Sequence, residues 1–271
     1  MTELLHMFSY HFIQRAVIVG VLVSLCAALL GVSLILKRYS MIGDGLSHVG
    51  FGALAIASVT GAAPLAVAVP VVVAAAVFLL RLRRSGKVKG DAAIAIISSS
   101  SLALGVVVVS LTTGMNTEVS SYMFGSILSL SRADAVLSAV LSVAVLLLFV
   151  AFYPRIFAVT FDEDFSRATG TSTELYNTLI AVLTAVTVVL GMRMMGALLI
   201  SSLIIFPALS AMRVCRSFKA VVLCSAVISV LSFMVGVIAS YFLETPTGAS
   251  IVLVDLLVFA GFCFIGKVLK K

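Results

Sequence analysis

Asp44 and His48 stand four residues apart inside an otherwise apolar stretch, and this pair says most about the chemistry the chain can do. The 271 residues hold only three histidines and eleven acidic side chains. On a helix, this spacing puts the two side chains on one face, one turn apart, with Cβ atoms about 6 Å from each other. A carboxylate and an imidazole so placed can share one divalent cation, and that donor mix suits zinc, manganese or iron rather than copper(I). In a membrane interior, ionisable groups are costly and mark routes for substrates or ions. A structural reading stands beside this one: Asp44 caps a helix N-terminus and His48 is hydrogen-bonded in the core.

The elements that must position the pair are membrane helices. The chain is 62% hydrophobic and 11% charged, lacks tryptophan and has a mean hydropathy of +1.26. A bilayer core takes about 20 residues per helix. Apolar runs of that order predict nine spans, near 13–36, 41–61, 63–80, 92–113, 134–153, 175–192, 195–212, 218–242 and 247–266. The expected fold class is therefore all-α: one polytopic membrane domain over 1–271, with no soluble domain attached. The first run is too long for a cleaved signal peptide, and no small-residue cleavage site follows it.

The net charge of +7 is a matter of topology. Of the 18 basic residues, all but Arg15, Arg132 and Arg193 fall on one side of a nine-span arrangement. Short basic loops remain in the cytoplasm, which predicts an external N-terminus and a cytoplasmic C-terminus. No nucleic-acid partner is implied. Cys26, Cys215, Cys224 and Cys263 are scattered and read as small core residues. Small residues recur at helical spacing over Ser225, Ser229, Ser232, Gly236 and Ser240, and again at Ser98, Ser101 and Gly105. Both stripes predict close helix packing.

Three stretches interrupt the pattern, and transporters place function at such breaks. The first, 37–48, holds Gly43 and Gly45 around Asp44. The second, 115–132, predicts an external or re-entrant helical piece. The third, 154–174, is a cytoplasmic loop. Within it Asp162 can cap a short helix, Glu163 and Asp164 favour its positive end, and Gly170 can close it. Phe161 and Phe165, four apart, would lie on one face of that helix and could dock in a partner's groove. An ordinary connector is the alternative.

Several stretches together resemble the permease subunit of bacterial ABC importers for zinc, manganese or iron. They are Leu-Ile-Leu-Lys-Arg-Tyr-Ser-Met-Ile-Gly-Asp-Gly-Leu-Ser-His (34–48), Gly-Asp-Ala-Ala-Ile (90–94), Leu-Ala-Leu-Gly-Val (102–106) and Tyr-Met-Phe-Gly-Ser-Ile-Leu (122–128). The 161–170 loop, Gly-Ala-Leu-Leu-Ile (196–200), Phe-Pro-Ala (206–208) and Thr-Pro-Thr-Gly-Ala (245–249) follow in the family's order. The resemblance implies an architecture similar to the vitamin B12 and siderophore importer permeases. It implies a homodimer in the bacterial plasma (inner) membrane, working with two cytoplasmic ATP-binding subunits and an extracellular metal-binding protein. The metal ion is cargo, and no tightly bound cofactor is expected.

Under the resemblance, Asp44 and His48 line the translocation path. Phe161, Asp162, Glu163, Phe165 and Gly170 belong to the loop that contacts the ATPase. Ser166 departs from the family's usual alanine, and Asp255 matches no motif of the family. Asp255 reads either as a polar station in the path or as a structural acid; absent a matched motif, the structural reading is favoured. Met192, Met194 and Met195 read as packing around Arg193, and Asp91 as the cap of the fourth span.

Two function classes follow: a permease half of an ATP-driven importer, or an ion-coupled secondary transporter or channel for divalent cations. The chain has no G-x-x-x-x-G-K-[ST] phosphate loop with which to hydrolyse ATP itself. It also lacks the series of buried acids a proton relay needs. No nucleophile–base–orienter set can be assembled from its histidines, so an enzyme is not expected.

Overall fold

The computed structural model describes residues 10–84, 90–112, 117–125, 131–197 and 200–269, and among these every regular element is a helix. In chain order they are α1 His11–Leu36, α2 Ile42–Thr60, α3 Pro64–Arg84, α4 Gly90–Leu111, α5 Thr117–Phe124 and α6 Arg132–Ala151. Then come α7 Tyr153–Phe161, α8 Glu163–Ala168, α9 Thr173–Met195, α10 Ile200–Val214, α11 Phe218–Leu243 and α12 Thr247–Leu269.

Eight of these helices are long and apolar enough to cross a membrane. The ninth expected span is α10, with only 15 residues and Pro207 inside it. At 1.5 Å per residue it reaches about 22 Å, short of the roughly 30 Å hydrocarbon core. Sequence patterning places its start near 195, yet Met195 still belongs to α9. The chain turns at Gly196, whose φ of +89° belongs to glycine. Gly196 lies against Gly125, itself at φ +80°, and a Cβ on either would overlap backbone of the other segment. The Ala197 N–H then donates to the Tyr122 carbonyl at 2.9 Å. The short helix α5 is thereby wedged against the α9–α10 turn.

α1, α2 and α9 form the interior, and the rest surround them. The outer helices turn Leu104, Leu147, Leu257 and Phe264 outward, as lipid contact requires. The serine stripe on α11 does pack closely: Ser229 Oγ donates to the Ser24 carbonyl of α1 at 3.0 Å, and Ser225 Oγ to that of Ala28 at 3.3 Å. On α4 the Ser101 carbonyl lies 2.8 Å from where a Cβ on Gly52 would be, so α2 and α4 meet backbone to backbone. Asp91 sits in the first turn of α4, one residue inside the helix rather than before it.

Candidate functional site

The turn that delivers Asp44 begins at the end of α1. Lys37 and Arg38 donate their N–H groups to the Ser33 and Ile35 carbonyls at 3.0 Å, and Tyr39 donates to Leu34 at 2.7 Å. Arg38 takes a left-handed conformation, φ +59°, which lets the chain reverse within five residues into α2. Met41 is the N-cap of α2 and gives no side-chain hydrogen bond. Asp44 therefore lies within the first turn instead of capping it. There its charge favours the positive end of the helix.

His48 follows one turn later. Its Nε2 is 3.7 Å from Asp44 Oδ1, beyond hydrogen-bonding distance but close enough for one ion to bridge both. The imidazole is buried and its Nδ1 has no hydrogen-bond partner among the described residues, so the core-hydrogen-bonded alternative fails there for that atom. The Asp44 side chain is 37% exposed. Gly43 packs against Ile204 and Ser201 of α10, and Gly45 against Ile94 of α4, so both neighbours close tightly around the acid. Ser201 Oγ is buried at this contact without a partner among the described residues. Sequence reasoning missed that hydroxyl, since one serine in an apolar run carries no signal.

Two donors make half a coordination sphere. Among the described residues no group of three or more His, Cys, Asp or Glu side chains could hold a metal. A resident zinc site wants four ligands, whereas an ion that must leave again is served by fewer. The pair occupies the first two turns of α2, within about 9 Å of its start along the axis. That is the end of the molecule at which α7 and α8 lie.

The α7–α8 segment is built locally. Phe152 ends α6 and begins α7, Pro154 occupies the opening turn of α7, and Asp162 ends it. Asp162 Oδ1 accepts the Phe165 N–H at 2.8 Å and so caps α8. Gly170, at φ +83°, closes α8: its N–H donates to the Arg167 carbonyl at 3.1 Å and the Thr171 N–H to that of Ser166 at 2.9 Å. The departing Ser166 is buried with its hydroxyl donating to the Asp162 carbonyl at 2.7 Å.

The expectation that Phe161 and Phe165 share one helical face is corrected. The extended backbone at Asp162 puts them on separate helices. Phe161 ends α7 with its ring 4.9 Å from that of Phe157 and 5.8 Å from that of Phe218. Phe165 projects from α8 and is 66% exposed. In the same aromatic cluster, desolvation pushes the Tyr153 hydroxyl above its usual pKa.

Glu163 turns inward. Its Oε2 is 3.2 Å from Lys37 Nζ, its Oε1 accepts from Asn177 Nδ2 at 2.9 Å, and Arg167 lies 3.7 Å away. Lys37, only 7% exposed, also donates to the Val159 carbonyl at 3.0 Å. One lysine at the end of α1 thus ties down both α7 and α8. Its residue type and position read only as topology from the sequence, because the partners are 122 and 126 residues away.

The opposite end holds a second polar cluster. Arg193 pairs with Asp134 at 2.7 Å and lies 5.4 Å from the Tyr122 ring centre. Met192, Met194 and Met195 are buried as packing. Arg193 and Tyr122 also line an open cavity of about 260 Å³ beside Ser58 and Gly61. Asp255 joins neither cluster. It is 1% exposed on α12, which packs chiefly on α10 and α11, and among the described residues neither carboxylate oxygen has a hydrogen-bond partner, although Ser232 lies beside it.

The model of the ABC 3 transport family matches residues 9–265. The manganese import system permease protein ScaB of Streptococcus gordonii is 28% identical over 256 residues, 94% of this chain and 92% of the relative. The high-affinity zinc uptake system membrane protein ZnuB of Haemophilus influenzae is 29% identical over 244 residues, 90% of this chain and 94% of the relative. A solved structure of PsaBC from Streptococcus pneumoniae in complex with Fab superposes with a TM-score of 0.84 at 28% identity, covering 93% of this chain and 91% of that one.

Proposed function

The chain belongs to the ABC 3 transport family and is a multi-pass membrane permease; from that premise we propose that it forms the translocation path of an ATP-driven importer for zinc, manganese or iron. The observation that carries this reading is the Asp44–His48 half-site, two hard-to-borderline donors one helical turn apart and one of them open to solvent. Two copies of the chain present two carboxylates and two imidazoles to the ion. The names of the relatives, manganese and zinc systems among them, fit that donor set.

Force comes from outside the chain. Two cytoplasmic ATP-binding subunits dock on the α7–α8 segment, with Phe165 as the apolar anchor and Phe161 beside it. Asp162 and Gly170 hold α8 in shape, and Glu163 holds it to the body of the permease. An extracellular metal-binding protein delivers the ion. With the short α10 counted as a ninth crossing, the charge distribution supports a bacterial plasma-membrane orientation with the N-terminus outside and the C-terminus cytoplasmic.

Energy input tests the class. In liposomes containing the permease, its ATPase and its binding protein, metal accumulation depends on ATP and persists when ionophores collapse the proton and sodium gradients. Accumulation driven by a proton or sodium gradient without ATP makes the chain a secondary transporter instead.

A further inference from the structure

A cavity of about 300 Å³ opens between the ends of α10 and α12, lined by Arg213, Cys263, Gly266 and Lys267. Arg213 lies in the last turn of α10 and Lys267 in the last turn of α12. Cations there answer the negative helix ends, but two of them converging on one cavity leave a strong positive field inside it. Neither forms an ion pair with a described residue. The Arg213 guanidinium is 5.7 Å from the Phe259 ring centre, which holds its stem against α12. Gly266 lets the helices touch, since a Cβ there would sit 3.0 Å from the Arg213 carbonyl oxygen.

The cavity lies at the depth where apolar helix gives way to basic turn, with Arg216 and Lys219 following directly. On the adjoining face of α12, Phe264 and Val268 are exposed. Phosphate oxygens suit a paired guanidinium and ammonium, and acyl chains suit the apolar face beside them. We propose that this cavity binds the phosphate headgroup of an anionic membrane lipid. A soluble phosphate offers the same oxygens but leaves the apolar face uncovered. The inference needs only a membrane chain and is independent of the metal and of the ATPase.

Native mass spectrometry of the full-length chain tests it by titration with phosphatidylglycerol and with phosphatidylcholine. Phosphatidylglycerol is retained at one per chain and phosphatidylcholine is not. Arg213→Gln with Lys267→Gln weakens retention about 30-fold, and Arg216→Gln with Lys219→Gln leaves it unchanged. A second measurement needs no variant: phosphatidylglycerol, against phosphatidylcholine, shields Cys263 from a water-soluble maleimide. Equal retention of the two lipids, or equal loss in the control variant, overturns the proposal. So does displacement of the lipid by inorganic phosphate, which marks a soluble anion as the occupant. Exclusion of the lipid once the ATPase is bound assigns the cavity to the partner protein and overturns it as well.

Discussion

Replacing Lys37 by methionine keeps the aliphatic stem and removes only the charge that joins α1 to the α7–α8 segment. The ammonium satisfies the Val159 carbonyl, one of the last in α7 and without a helical donor of its own, and it neutralises Glu163. A hydrogen bond to a charged group contributes about 1.5–3 kcal/mol, and two are lost here. Glu163 is about one-third exposed and keeps Asn177 and Arg167, so water and these partners offset much of the second loss. The net cost is about 2 kcal/mol, which raises local opening of α8 about 30-fold. Hydrogen exchange reads this directly. Amides over 163–170 lose protection by about that factor, while those over Val188–Met192 in the core of α9 keep theirs. In the proposed transport complex, fewer ions then move per ATP hydrolysed. Unchanged protection over 163–170 would mean that the Lys37 clamp carries no energy.

Other expectations follow from the same geometry. Gly196→Ala requires a strained φ and a Cβ overlapping the 122–125 backbone, so the folded yield collapses, at a cost above about 4 kcal/mol; fluorescence-detected size exclusion measures it. Gly170→Ala has equal strain but open space around it, and costs only about 1 kcal/mol by thermal melting. Asp255→Asn, remote from both polar clusters, keeps metal uptake within about twofold and does not lower stability, since it removes an unpartnered buried carboxylate; lost uptake would place Asp255 in the path. On a background without the four native cysteines, a cysteine replacing Ala62 labels in intact cells with an impermeant maleimide, and one replacing Arg216 labels only after permeabilisation. The reverse pattern inverts the orientation.

How much of this was legible in the sequence depends on the distance over which each feature is decided. Long apolar runs bounded by polar turns located eight spans to within a few residues, because bilayer thickness and helix rise leave little freedom. The α8 helix was legible for the same reason: its cap at Asp162 and its close at Gly170 involve only neighbours. The start of α10 was not, since Gly196 turns against Gly125, a contact between segments about 70 residues apart in the numbering. The split between Phe161 and Phe165 was hidden because Asp162 serves two helices at once, ending one and capping the next. Asp44 and His48 stood out as a pair by type and spacing alone. Glu163 did not reveal its direction, since its partners Lys37 and Asn177 are brought to it only by the packed bundle.

Whether the ion meets the half-site on α2 is read from ATP-driven metal accumulation in liposomes by Asp44→Asn, His48→Ala and double-variant permeases, each with the partner ATPase and binding protein. Each substitution removes one donor and little packing surface, so assembly and basal ATP hydrolysis stay near wild type. Accumulation of the transported metal, whichever of zinc, manganese or iron it is, falls to the level of empty liposomes. Accumulation at the wild-type rate by the double variant would show that the ion passes without meeting the half-site on α2.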